Sequence, residues 1–282
     1  MAEARPGLAV GGSTAVAGRF GAAARQLARS RATGVALILA LLALWQISAV
    51  YWVASPNWPP LTAVVRALVQ GIASGELLET FGSSLYRMIV GYALGVGTAL
   101  GVGLVMATVR VAYLALEPLV ELLRPIPIPA IVPPLILLLG IDDKLKIFIV
   151  GFAAFFPVLV NTIGGVRAVD PVAINVARTL RVGRLRTVIR VVLPASLPYV
   201  LAGMRISLAL ALIVTVVAEM IAGSAGIGYY LMTMQYAMRS ADMYAAILLL
   251  AAVGYALNQG SLAVERRLLH WYLSAGQTGE AL

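Results

Sequence analysis

Met88–Val109 reads MIVGYALGVGTALGVGLVMATV, a stretch without a single charged side chain. A helix rises about 1.5 Å per residue, so roughly 20 apolar residues cross the ~30 Å hydrocarbon layer of a bilayer. This stretch is long enough to cross. Its glycines, Gly91, Gly95, Gly97, Gly101 and Gly103, read as close packing, because small residues let helix backbones approach one another in lipid.

Further uncharged or nearly uncharged runs lie on both sides: Ala32–Ala54, Ile147–Val166, Leu193–Ala222 and Met243–Val264. Ala32–Ala54 exceeds the roughly 7–15-residue core of a signal peptide, which favours a retained first span over a cleaved leader. Residues 55–82 read as an external loop carrying a surface helix. Pro125–Ile141 is a sixth uncharged run, but it holds Pro125, Pro127, Pro129, Pro133 and Pro134. Proline removes a backbone donor and disfavours helix in the residue before it, so an irregular backbone is expected up to about residue 135. Such backbone is tolerated at membrane depth only inside protein or along a water-filled cavity, which points to the protein interior. The expectation is therefore an all-α membrane protein with about six transmembrane helices. Residues 1–31 form an N-terminal tail, 32–268 the transmembrane domain and 269–282 a C-terminal tail.

Composition agrees. Of 282 residues, 61% are hydrophobic and 12% charged, against roughly 25% charged in soluble domains. The net charge of +9 comes from arginines between apolar runs, so membrane orientation explains it and nucleic acid is set aside. With the N-terminus inside, fourteen basic residues fall in cytoplasmic segments and four outside, namely Arg66, Lys144, Lys146 and Arg239. Both termini are expected in the cytoplasm. The chain has no cysteine and one histidine, His270, beside Trp271 and Tyr272, which reads as an interfacial anchor. No cluster of His, Asp and Glu has metal-ligand spacing, and no catalytic set is visible. The two lysines, Lys144 and Lys146, do not follow glycine, so a phosphate-binding Gly-Lys-Ser/Thr loop is lacking and any ATP-driven step needs another chain.

Arg167–Val192 is the longest predicted cytoplasmic connection. Val172, Ala173, Val176 and Leu180 recur at helical spacing, with Arg178 and Arg181 projecting elsewhere. Such a helix suits a groove on a soluble partner, or else an anionic lipid surface or its own bundle, and the pattern alone leaves these open.

The stretch Asn175-Val176-Ala177-Arg178-Thr179-Leu180-Arg181, continuing to Val191-Val192-Leu193-Pro194, resembles the EAA loop of binding-protein-dependent ABC importer permeases. Anchored on Leu193-Pro194, the family's aliphatic position is Val191 and its glycine position is Arg181. Asn175 stands where the family has an acidic residue, and Gly183 follows two places after the replaced glycine. Leu122-Leu123-Arg124-Pro125-Ile126-Pro127, Phe155-Phe156-Pro157 through Asn161-Thr162, Val217-Ala218-Glu219-Met220-Ile221 and Gly226-Ile227-Gly228-Tyr229 are similar to the nitrate, sulfonate, taurine and bicarbonate branch. The resemblance covers about residues 60–265.

It implies a type I ABC importer permease bundle in the bacterial inner membrane, paired as a homodimer or close heterodimer, with residues 167–193 as the coupling loop. It also implies two copies of an ATPase that bind ATP and Mg, an external solute-binding protein, and a small anionic solute. The chain itself is then neither an enzyme nor a cofactor binder. Glu219, the one carboxylate well inside a predicted span, marks a structural pairing, a gate or the solute path, since an ionisable group in lipid is costly. Arg124, Pro125, Pro127 and Asn161 are further path candidates, while Arg124 and Arg205 also fit snorkelling anchors. The rival reading is an ion-coupled secondary transporter, which would call for more intramembrane ionisable groups and internal repeats.

Overall fold

A computed structural model describes residues 31–53 and 55–270, and all regular structure among them is helical. The expected tails, apart from Arg31, Leu269 and His270, lie outside the described residues. The chain divides into two units between Val65 and Arg66.

In the first unit, α1 (Arg31–Ile47) runs on into a π-helical turn, Ser48–Val53. Thr33–Val53 is apolar and long enough to cross a bilayer. Its end is a knot of aromatic and polar groups. Trp45 and Trp58 have ring centroids 5.7 Å apart. Trp45 Nε1 donates to the Pro59 carbonyl at 3.2 Å, and Trp58 Nε1 to Ser48 Oγ at 3.1 Å. Rings with one apolar body and one polar tip belong where hydrocarbon meets water. The helix α2 (Leu61–Ala73), which straddles the division between the units, lies within residues 55–82, where a helix was expected.

In the second unit, α3 (Glu76–Thr108) is the second span. It begins twelve residues before the uncharged run, so the expected loop through residue 82 is shorter than the sequence suggests. Glu76 and Glu79 occupy its first turn, where carboxylates oppose the helix dipole's positive end. α4 (Arg110–Leu123) and α5 (Ile128–Leu139) follow, bent by 100° at Arg124–Pro127. The irregular backbone is thus confined to the bend, and the expectation of non-helical chain up to about residue 135 is corrected. Pro129 falls in the first turn of α5, where its missing N–H costs little. Pro133 and Pro134 then forfeit only two bonds, to the carbonyls of Pro129 and Ala130. Nor is this segment interior to the chain. Val132 is its one buried side chain, and Leu137 is 87% exposed.

Three long helices complete the unit. They are α6 (Asp143–Arg167), α9 (Leu193–Ala222) and α11 (Ser240–Leu268). Between them lie α7 (Pro171–Thr179), α8 (Arg184–Thr187) leading through a π turn (Val188–Val192) into α9, and α10 (Ile227–Tyr236). Counting the bent pair as one span gives six, and without it five.

The helix α6 is the axis, packed by α3 on one side and α9 on the other. Lipid offers no hydrophobic drive between helices, so backbone proximity and van der Waals contact must hold them. A Cβ added at Gly95 would lie 2.4 Å from the Gly151 carbonyl oxygen, and one at Gly91 2.7 Å from that of Ile147. Gly165 meets Ser196 and Tyr199, and Gly203 meets Pro157 and Asn161, at the α6–α9 seam. Gly97 and Gly101 face open space, so close packing explains only part of the glycine pattern. Around the seams, Met88, Val132, Ile149, Val150, Val214 and Ala218 form one continuous core.

Gly95→Val should therefore separate α3 from α6 and cost about 1–3 kcal/mol as overpacking. Thermal unfolding of detergent-solubilised protein is expected to show a lowered midpoint for Gly95→Val and none for Gly97→Ala.

Candidate functional site

Two constellations carry charge or chemistry that the fold must position. The first surrounds Glu219, whose side chain is 0% exposed. Its Oε1 accepts from Arg87 Nη1 at 2.8 Å, and its Oε2 accepts from Ser84 Oγ at 2.7 Å and from the Gly228 amide at 3.1 Å. Arg87 Nη1 also donates to the Ala225 carbonyl (3.1 Å), and its Nε to Asp143 Oδ1 (2.7 Å). Ser84 Oγ in turn accepts from the Ile227 amide at 2.8 Å.

One cation and two carboxylates thus tie α3, α6 and α9 to the turn that leads into α10. A buried carboxylate is tolerable only when paired and hydrogen-bonded, and this one meets both conditions. Three glycines make the space. Gly226 has φ +107°, and a Cβ there would sit 2.3 Å from the Glu219 carboxyl carbon. At Gly223 and Gly228 a Cβ would strike the backbone oxygens of Glu219 and Val216. The carboxylate also lies against the N-terminus of α10, where free amides and the helix dipole favour negative charge.

Of these groups, sequence reasoning singled out Glu219 alone. Arg87, which directly precedes the uncharged run Met88–Val109, is buried within α3. Lys146, expected on the outer side of the membrane, is 1% exposed in the first turn of α6, a burial that its charge did not suggest. Arg87 pairs with carboxylates that are distant in sequence, so no local pattern announces it.

The second constellation is α7 and its continuation. Asp170 caps the helix, its side chain accepting from the Val172 amide at 2.8 Å. Pro171 follows at the first helical position, where φ is already helical. At the other end the Val182 amide donates to the Ala177 carbonyl (2.9 Å) and the Arg181 amide to the Arg178 carbonyl (2.9 Å). Those two bonds define a Schellman ending, with Arg181 in the left-handed position at φ 54°. This is the position to which the motif assigns glycine, while Gly183 has an ordinary φ of −61°. Left-handed backbone costs a non-glycine residue roughly 1–2 kcal/mol.

Ala177 is the buried side chain of α7. Val172, Val176 and Leu180 point away from the protein, each more than half exposed, as do Asn175, Arg178, Thr179, Arg181 and Gly183. Val191 and Pro194 are half-buried where the chain turns into α9, and Leu193 is at the edge of exposure. The apolar stripe expected from the spacing is real but faces outward.

The remaining candidates are placed apart from both sites. Asn161 turns its amide back to the Pro157 carbonyl (2.8 Å) and packs at the α6–α9 seam. Arg124, Pro125 and Pro127 are exposed at the α4–α5 bend. Arg205 pairs with Glu265 at 3.1 Å. Among the described residues no group of three His, Asp or Glu could hold a metal.

Glu219→Gln should leave the Arg87 guanidinium under-compensated and destabilise the second unit by about 3–5 kcal/mol, whereas Arg87→Met with Glu219→Met should cost less than either single change. Unfolding midpoints of the three variants check this. Arg181→Gly should remove the left-handed strain, slowing hydrogen exchange of the Val182 amide.

Residues 93–270 match the family model described as "Binding-protein-dependent transport system inner membrane component". A putative aliphatic sulfonates transport permease protein SsuC of Bacillus subtilis (strain 168) is 35% identical over 239 residues, covering 84% of this chain and 87% of the relative. The taurine transport system permease protein TauC of Escherichia coli (strain K12) is 29% identical over 252 residues, covering 87% and 92%. In fold, the chain is similar to an inward-facing methionine ABC transporter, MetNI (TM-score 0.61, 18% identity, 68% of this chain and 95% of that one). These matches, with the membrane-spanning helices and the outward-facing loop, agree with the resemblance carried by residues 175–194 and 217–229. The chain belongs to the binding-protein-dependent transport system inner membrane components, the permease subunits of ABC importers, in the branch that includes sulfonate, taurine and nitrate permeases.

Proposed function

We propose that this permease carries a small anionic solute, a sulfonate, taurine, nitrate or similar ion, into the cytoplasm. An ATPase drives the movement through α7, and an external binding protein delivers the solute. The observation that carries the coupling role is the outward apolar stripe of Val172, Val176 and Leu180, held by a capped helix whose inner face is anchored at Ala177. A helix that leaves its apolar face unburied is built to lay it in a partner's groove.

The permease pairs with a second copy, and each copy grips one ATPase that binds ATP and Mg. Family membership supports that stoichiometry, and the outward-facing leucines Leu137 and Leu138 of α5 offer apolar surface for the pairing or for lipid. Both termini lie in the cytoplasm of a cell with the chain in its inner membrane, a reading supported by the excess of arginine in the tail, in residues 167–190 and at Arg266 and Arg267. Residues 32–268 act as the transmembrane domain, with 167–193 as its coupling loop. Closure of the two ATPases on ATP draws the paired loops together and turns the bundle from inward- to outward-facing.

The Glu219 clasp serves this cycle as a rigid joint. An ion-coupled carrier would need a carboxylate free to exchange protons or cations, and Glu219 accepts three hydrogen bonds from protein donors. The natural absence of cysteine makes the topology directly testable. A single cysteine at Thr179 should react with impermeant reagents only after the cytoplasmic face is opened, and one at Ser74 only from outside. Uptake of labelled sulfonate or taurine should require the co-expressed ATPase, and Leu180→Ser should abolish both uptake and co-purification of that ATPase. Uptake without any ATPase would overturn the reading.

A further inference from the structure

The coupling segment has a charge pattern that its docking role does not itself require. Arg178, Arg181, Arg184, Arg186 and Arg190 are all exposed, and none forms an ion pair among the described residues. The single carboxylate of the segment, Asp170, is already committed to capping α7. Asn175, where the motif has an acid, is exposed and neutral. Arg181 holds its guanidinium at the tip of the helix from a left-handed backbone that glycine would adopt freely. Backbone strain retained at an exposed position points to a use for the side chain.

Like charges this close repel one another until anionic groups neutralise them. Two sources could supply those groups, a lipid surface or a protein, and membership of the ABC importer permeases, which implies an ATPase partner, favours protein. The exposed apolar stripe of Val172, Val176 and Leu180 lies on the same short segment as these arginines.

We infer that the ATPase groove receiving α7 has a carboxylate-lined rim, so that the interface is an apolar centre of Val172, Val176 and Leu180 ringed by arginine–carboxylate pairs with Arg181 at its tip. The inference rests on the coupling role proposed above and adds to it the charge of the partner. Rim charges act mainly on association rate and salt dependence.

The test is binding of the purified co-expressed ATPase to the full-length permease in nanodiscs of zwitterionic phosphatidylcholine. Wild-type affinity should fall about tenfold as NaCl rises from roughly 0.05 to 0.5 M. The combined Arg178→Gln, Arg184→Gln and Arg186→Gln variant should bind about tenfold more weakly at low salt and lose most of the salt dependence. Arg181→Gly, which relieves the backbone, should still weaken binding several-fold, while Arg181→Lys retains it. Salt-insensitive binding, or glutamine variants that bind as wild type does, would overturn the acidic rim. So would an arginine effect that appears only when phosphatidylglycerol is added to the nanodiscs, which would assign the arginines to lipid. Loss of the coupling role itself looks different. In that case the wild-type chain would not bind the ATPase, or Leu180→Ser would bind it unchanged.

Discussion

The carbonyl of Gly151 approaches Gly95 so closely that no side chain fits between α3 and α6, and the rest of the second unit depends on that approach. In lipid an apolar surface gains little by leaving the bilayer, so helices are held by how near their backbones come. The α3–α6 seam brings Arg87 within reach of Asp143. The α6–α9 seam, opened by Gly165 and Gly203, sets α9 beside them and brings Glu219 to the same guanidinium. Close packing therefore comes first, and the buried ion pair becomes affordable because of it.

The two constellations divide the labour of the permease. Around Glu219 both carboxylate oxygens, Ser84 Oγ and the Nε and Nη1 donors of Arg87 are engaged, and the turn 223–228 is tied at Ala225, Ile227 and Gly228. That end of the bundle is stiff. Around α7 the opposite holds, with apolar and basic groups standing unpaired on an otherwise well-capped helix. A stiff joint at one end of α9 and an unsatisfied surface at the other suit a lever, which transmits movement only if its length does not bend. Arg167, whose guanidinium lies 3.8 Å over the ring of Tyr113, ties the end of α6 that leads to α7 to α4.

Much of this was legible in the sequence, for reasons that differ from place to place. The fifth span, Leu193–Ala222, shows in both its bounds because a long run with only Arg205 and Glu219 charged begins at a Leu-Pro pair and ends at glycine. The start of α3 was not visible, because Glu76, Glu79 and Arg87 make its first three turns look like a polar loop. What keeps Arg87 helical and buried is a carboxylate 132 residues away. The proline-rich third segment misled in the other direction. A count of prolines predicts irregular chain, yet their spacing places one in the first turn of α5 and lets two others forfeit only early bonds. After α7 the register drawn from Leu193-Pro194 put a motif glycine at Arg181, and only backbone geometry shows that Arg181 keeps the glycine's conformation.

The central claim is that α7 hands force from an ATPase to the bundle, and contact at Leu180 in living cells tests it most directly. Leu180 is 71% exposed at the end of the apolar stripe. A photo-crosslinking amino acid placed there should join the permease to its co-expressed ATPase, with a yield that changes when ATP hydrolysis is blocked. Adducts to lipid alone, or adducts to the ATPase formed equally well from an exposed α4 position such as Leu122, would contradict the account.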